Sequence, residues 1–204
     1  MKRTGRPRSI VAVVCLLAVL AVAGPAPAAA QDAPPNPHVV VETTMGDFTI
    51  ELLRPDAPAS VTNFLTYVQD GFYDGLVFHR VIRDVIIQGG GFLEDLTPRV
   101  EGLRGPILNE ATNRMQNRRG TVAMARLGEP NSARAQFFVN VNHNGSFDHR
   151  DLTARGYGYA VFGRIVDGMD VVDDISRVRT TRVDRMDDVP RDPVIIKTIR
   201  RVEP

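Results

Sequence analysis

The sequence predicts a mainly β protein, a closed eight-stranded antiparallel β-barrel capped by two α-helices. Three observations predict it: about eight short β-rich segments, only two segments with helical spacing, and an opening pair of strands joined by a tight turn. Val39-Val40-Val41-Glu42-Thr43 and Phe48-Thr49-Ile50-Glu51-Leu52 form that pair, with Met45-Gly46-Asp47 as the turn. Pro58 opens the first helix, where Val61, Phe64, Leu65 and Val68 keep helical spacing until Gly71 stops it. Further strands are expected at 76–82, 85–88, 121–125, 136–141, 160–166 and 193–200. The second helix is expected at 168–177, where Met169, Val172, Ile175 and Ser176 fall mainly on one side. The intervening 93–119 segment is rich in Gly, Pro, Asn and Arg and reads as a long surface loop, a kind that is often functional in compact domains.

The chain has 204 residues, of which 43% are hydrophobic, 24% charged and 6% aromatic, which excludes a disordered, collagenous or polytopic membrane chain. Its net charge of +1 is unevenly placed. Lys2, Arg3, Arg6 and Arg8 sit in a stretch without acids, so residues 31–204 carry 21 basic against 24 acidic side chains. That body lacks the basic footprint that nucleic-acid binding needs. The N-terminus has the order of a secretory signal: a basic stretch, an apolar run from Ile10 to Ala23, then Ala28-Ala29-Ala30 before Gln31. The run of 14 residues is short for a membrane span, and Pro25 and Pro27 discourage its continuation as a helix. The alternative is an uncleaved anchor, in which case the membrane is met only through this segment. The expected organisation is a signal peptide over 1–30, a Pro-rich tether over 31–37 and one domain over 38–204, placed in the periplasm or outside the cell. Cys15, the only cysteine, lies inside the apolar run, so the domain has no thiol for disulfides, nucleophilic catalysis or metal ligation.

Other chemistries lack their residues. None of His38, His79, His143 and His149 forms an H-x-x-x-H pair, and neither a metal nor a cofactor is expected. No G-x-S-x-G elbow is present. Gln88-Gly89-Gly90-Gly91 lacks the G-K-[ST] ending of a phosphate loop and reads as close packing or a tight bend. The unusual segment is Leu76-Val77-Phe78-His79-Arg80-Val81-Ile82, which sets an imidazole beside a guanidinium in an apolar run. Alternation puts Phe78, Arg80 and Ile82 on one face and Val77, His79 and Val81 on the other. Taken alone, Arg80 reads as a barrel-rim residue and His79 as a hydrogen-bonded core imidazole.

Several blocks together resemble the cyclophilins, a family of peptidyl-prolyl cis–trans isomerases, and most nearly their short exported bacterial members. The blocks are Phe78-His79-Arg80-Val81-Ile82, Ile87-Gln88-Gly89-Gly90-Gly91-Phe92, Arg119-Gly120-Thr121-Val122-Ala123-Met124-Ala125, Ser132 through Gln136-Phe137-Phe138, and Tyr159-Ala160-Val161-Phe162-Gly163. They run in the family's order from about residue 38 to the C-terminus. The resemblance implies an eight-stranded barrel with a helix at each end. It implies Arg80 as the charged donor to the prolyl amide, with Gln88 and Gln136 fixing the arginine and binding substrate backbone. Ile86, Phe138 and Phe147 correspond to the apolar pocket for the proline ring, and Ala125 with the Arg126 backbone to the rim that holds the preceding residues. Phe137 alternates to the opposite face from Phe138 and is expected in the core.

Three positions depart from the family's common pattern. Val85 stands where phenylalanine is usual, Ser146 where a large aromatic is frequent, and Tyr159 where many members have histidine. Weakened peptide binding and poor sensitivity to cyclosporin-type inhibitors are therefore expected. The implied function is acceleration of X–Pro isomerisation during folding of exported proteins. The alternative is a non-catalytic chaperone or binding module using the same groove. Expected partners are unfolded or extended proline-containing polypeptides, with no nucleic acid and no metal, bound by a monomer.

Overall fold

The computed structural model describes Met1 and residues 35–203. The export segment expected over 1–30 therefore lies, Met1 apart, outside the described residues, as does most of the tether. The opening hairpin forms as expected from β1 (His38–Thr43) and β2 (Gly46–Leu52). Helix α1 (Pro58–Gln69) begins on the predicted proline and ends before Gly71, whose φ of +62° suits glycine. Its first turn contains no acidic residue; Glu110, in the 93–119 loop, accepts from the amides of Ala59 and Ser60 at 2.9 and 2.8 Å instead. Then come β3 (Arg80–Ile82), β4 (Ile86–Gly89), β5 (Thr121–Met124), β6 (Phe137–Asn140), β7 (Val161–Asp167) and α2 (Met169–Ser176). The chain closes with a hairpin of β8 (Thr180–Val183) and β9 (Met186–Pro190), followed by β10 (Ile196–Val202).

Eight strands pair antiparallel in the order β10-β1-β2-β7-β5-β6-β4-β3, and β8–β9 stand apart as a two-stranded sheet. The result is a mainly β domain with two helices and a strongly curled antiparallel sheet. Between its edges, β3 and β10, the link is a single bridge, Val77 to Ile195, flanked by bonds from Phe78 to Val194 and from Ile196 to Leu76. The expected full closure is thus represented by a short seam, because β3 has only three residues and β9 packs beside it.

The expected strand over 76–82 is shortened to Arg80–Ile82, and this corrects the face assignment. Phe78 and Val81 both enter the core, so alternation breaks between them and Phe78 does not share the face of Arg80. The hairpin over 180–190 was not anticipated from the sequence, because its short strands, Thr-Thr-Arg-Val and Met-Asp-Asp-Val-Pro, offer no apolar stripe. Inside the curl the core is aromatic. Phe64 from α1 meets Tyr73 at 5.2 Å, Phe162 at 5.2 Å and Phe137 edge-on at 5.4 Å. Phe137 is therefore a core residue, as its alternation predicts.

Candidate active site

The outer face of the same strands carries a second, smaller apolar cluster. Successive residues in a strand point to opposite sides, so β4 sends Ile87 inward and Ile86 and Gln88 outward, and β6 sends Phe137 and Val139 inward and Phe138 outward. Strand register aligns the outward residues. Arg80 pairs with Gln88, Gln88 with Phe138, Phe138 with Ala123, and Ala123 with Val161. One row across five strands thus runs guanidinium, amide, phenyl, methyl, isopropyl.

The apolar end of this row is a separate cluster. Its buried members are Ile86, Ala123, Phe138 and Val161, and the half-buried Ile82, Val85, Met115, Ala125, Phe147 and Tyr159 pack against them. Phe138, Phe147 and Tyr159 stand edge to face, with centroids 5.7, 5.5 and 5.2 Å apart. Side-chain amides hold the segments around it. Asn144 donates to the Val85 carbonyl at 3.0 Å and to Asn140 at 2.8 Å, and Asn117 donates to the Phe147 carbonyl at 3.1 Å.

At the polar end, the Gln88 amide donates to Gln136 Oε1 at 3.0 Å, and the backbone of Gln136 accepts from the Ala125 amide. A Cβ on Gly91 would collide with the Gln136 side chain, so the glycine run does serve close packing. Beyond these two glutamines a groove of about 310 Å³ continues between Phe92, Arg99, Val100 and Leu103 on one side and Ala125, Leu127 and Ala135 on the other.

Arg80 stands at the edge of the row with its side chain 45% exposed, and its Nε lies 3.7 Å from the Asp188 carboxylate. His79 beside it is buried against the Phe92 ring, with centroids 4.5 Å apart, and its Nδ1 has no hydrogen-bond partner. The expectation of a hydrogen-bonded core imidazole is corrected at that atom. Burial pushes its pKa down to about 4, offset in part by the Val77 carbonyl and reinforced by the Arg80 cation, so the ring is neutral at pH 7. It lies outside the outward apolar cluster and lines a separate cavity with Glu94, Leu96 and Val189. Arg126 spends its guanidinium on the carbonyls of Gly158, Leu127, Gly128 and Ala154 and on the Tyr159 face, at 4.9 Å from the ring centroid. Its side chain pins the rim rather than facing a ligand.

The structure thus brings together Arg80, Gln88, Gln136, Phe138, Ile86, Val85, Ala125, Phe147 and Tyr159. Ser146 is exposed on the turn Gly145–Phe147 and is not part of the apolar cluster. Sequence reasoning missed Ala123, Val161 and Ile82, which strict alternation across paired strands identifies once the register is known. It also missed Met115 and Asp188, which carry no local signal. Among the described residues, no group of three or more His, Cys, Asp or Glu is placed to hold a metal ion.

Residues 38–201 match the family model described as cyclophilin type peptidyl-prolyl cis-trans isomerase. The chain is 48% identical over 162 residues to the peptidyl-prolyl cis-trans isomerase cyp18 of Streptomyces antibioticus, covering 79% of this chain and 96% of that one. It is 42% identical over 196 residues to peptidyl-prolyl cis-trans isomerase A of Dickeya dadantii, covering 96% and 98%. A cyclophilin type peptidyl-prolyl cis-trans isomerase from Cryptosporidium parvum, crystallised in the presence of the dipeptide Ala-Pro, superposes with a TM-score of 0.65 at 25% identity, covering 79% and 96%. With the curled sheet, the outward row and these relatives in agreement, the chain belongs to the cyclophilin-type peptidyl-prolyl cis-trans isomerases.

Proposed function

We propose that the chain accelerates X–Pro isomerisation at the outer-face notch, with Arg80 as the charged donor and the Phe138 depression as the seat of the proline ring. The X–Pro amide resists rotation through its partial double bond, with a barrier of about 18–20 kcal/mol. Shortening a ~100 s event to ~1 ms is a factor of about 10⁵, or about 7 kcal/mol. As the bond twists, the prolyl nitrogen leaves conjugation and gains a lone pair. A donor aimed at that nitrogen binds the twisted state better than either planar one, which is the condition for catalysis. Arg80 suits the task because it stays protonated and carries several N–H groups in a fixed fork, so one can hold a carbonyl while another meets the nitrogen. The apolar walls grip the ring, and Gln88 and Gln136 offer donors and acceptors to the flanking backbone. No proton is transferred and no covalent bond forms or breaks, so the proposed reaction needs no cofactor.

The observation that carries this reading is the registered row that sets a cation two strands from an outward aromatic cluster. Exchange NMR on a short X–Pro peptide tests it. Arg80→Ala should slow catalysed exchange by about 10²-fold while leaving folding intact; equal rates for both proteins would remove the catalytic reading. The small Val85 and the outward Ser146 favour a second reading, a chaperone that grips proline segments without turnover. That reading holds if both proteins bind the peptide and neither speeds exchange.

We also propose that its clients are exported polypeptides. The basic, apolar and small-residue order of residues 2–30 supports export. Mass spectrometry of the secreted fraction should show an N-terminus near Gln31; an intact Met1 in the membrane fraction would replace export with anchoring.

A further inference from the structure

The hairpin β8–β9 contributes nothing to the notch, yet it brings a carboxylate to Arg80. Its pairing slips between Thr181 and Val183, so Asp187 and Asp188 together oppose the single Arg182. Such a bulge inserts one extra residue and re-aims a side chain. Asp188 adopts a left-handed backbone, φ +61°, a conformation glycine takes freely and an L-residue takes at a cost. On its flanks, Asp187 forms an exposed ion pair with Arg182 at 3.5 Å, and Val189 is buried, with 3% of its surface exposed, which anchors the C-terminal side. The outcome is Asp188 Oδ2 at 3.7 Å from Arg80 Nε, with the two side chains 38% and 45% exposed.

We propose that Asp188 is a positioning residue for Arg80. By engaging the Nε edge of the planar guanidinium it restrains the long side chain and leaves the two terminal nitrogens for the peptide. The inference rests on the reading of Arg80 as donor. A half-exposed pair of this kind restrains modestly, and loss of the carboxylate should lower kcat about two- to fivefold. KM should hardly move, because the notch and the glutamines that bind the ground state are untouched.

Asp188→Asn tests it, since asparagine has the same shape, tolerates the left-handed backbone and lacks the charge. Asp188→Gly is the second variant, which relieves the backbone while removing the carboxylate. Both should match or exceed the parent in thermal midpoint, lower kcat at low ionic strength, and shift the Arg80 Nε–H resonance. High salt, which screens exposed charges, should bring the parent down toward the variants. Unchanged or raised kcat, or a loss carried by KM or by stability, overturns the proposal. Arg80→Ala run alongside separates the two claims. An active Arg80→Ala protein removes the donor reading, and with it this proposal. An inactive one beside a fully active Asp188→Asn removes only the role of Asp188.

Discussion

The two faces of one set of strands make the central contrast in this molecule. On the inner face Val81, Ile87, Phe137, Val139, Val122 and Phe162 meet α1 and the far side of the curl, and every one is closed off from solvent. On the outer face their immediate neighbours are Arg80, Gln88, Phe138 and Val161, and the apolar cluster there has only four buried members, Ile86, Ala123, Phe138 and Val161, with loop residues packed against it rather than a second layer. The inner face has spent its apolar surface on packing. The outer face keeps a small aromatic cluster next to a cation. A strand alternates its side chains every residue, so one short segment can serve stability on one side and the proposed binding on the other, and a change at one position should separate the two.

Phe137→Ala should show the largest effect. It empties a site ringed by Phe64, Tyr73 and Phe78, and should cost about 3–5 kcal/mol in denaturant unfolding while the folded fraction keeps its turnover. A turnover loss beyond the unfolded fraction would break the division between faces.

His79 comes next, as the buried neighbour of Arg80. The unfolded imidazole binds its proton around pH 6.5, whereas the folded one does so only at about 4, so between these values the unfolded state holds more protons. The stability that goes with the neutral ring is present above about pH 6.5 and is lost as pH falls toward 4, by about 3 kcal/mol in all. Unfolding midpoints across this range measure the loss, and NMR of the imidazole should place its titration near pH 4. A titration near 6.5 would mean that the ring is not sealed in the core.

The smallest effects sharpen the outer face. Phe138→Leu should raise KM for an X–Pro peptide about fivefold, equivalent to about 1 kcal/mol of lost ring contact, and Val85→Phe should lower KM by rebuilding a wall. If both leave KM unchanged, the proline ring sits elsewhere.

Much of this contrast was legible in the chain. Pro58 and Gly71 bound α1 because each imposes its own backbone geometry. The Phe137-Phe138 pair divides between faces because alternation is local. The site residues came from a resemblance spread over several blocks. The 93–119 loop showed its composition but not its contributions, the Glu110 carboxylate on α1 and the Met115 wall, because a loop side chain's partner depends on where the loop is tied down. The 76–82 segment misled because uniform alternation was assumed across a point where Phe78 donates its amide to Val194 and the strand has not yet begun.

By itself, then, the sequence determined the local features: which residues alternate, where helices start and stop, and which side chains carry charge. Only the tertiary structure decided that Arg80, Gln88, Phe138, Ala123 and Val161 share one row, that the sheet edges meet in a short seam, and that a bulged, charged hairpin delivers Asp188 to Arg80. The physical reason is that register between strands distant in sequence is set by packing of the whole curl, and a slip of one residue would turn every outward side chain inward.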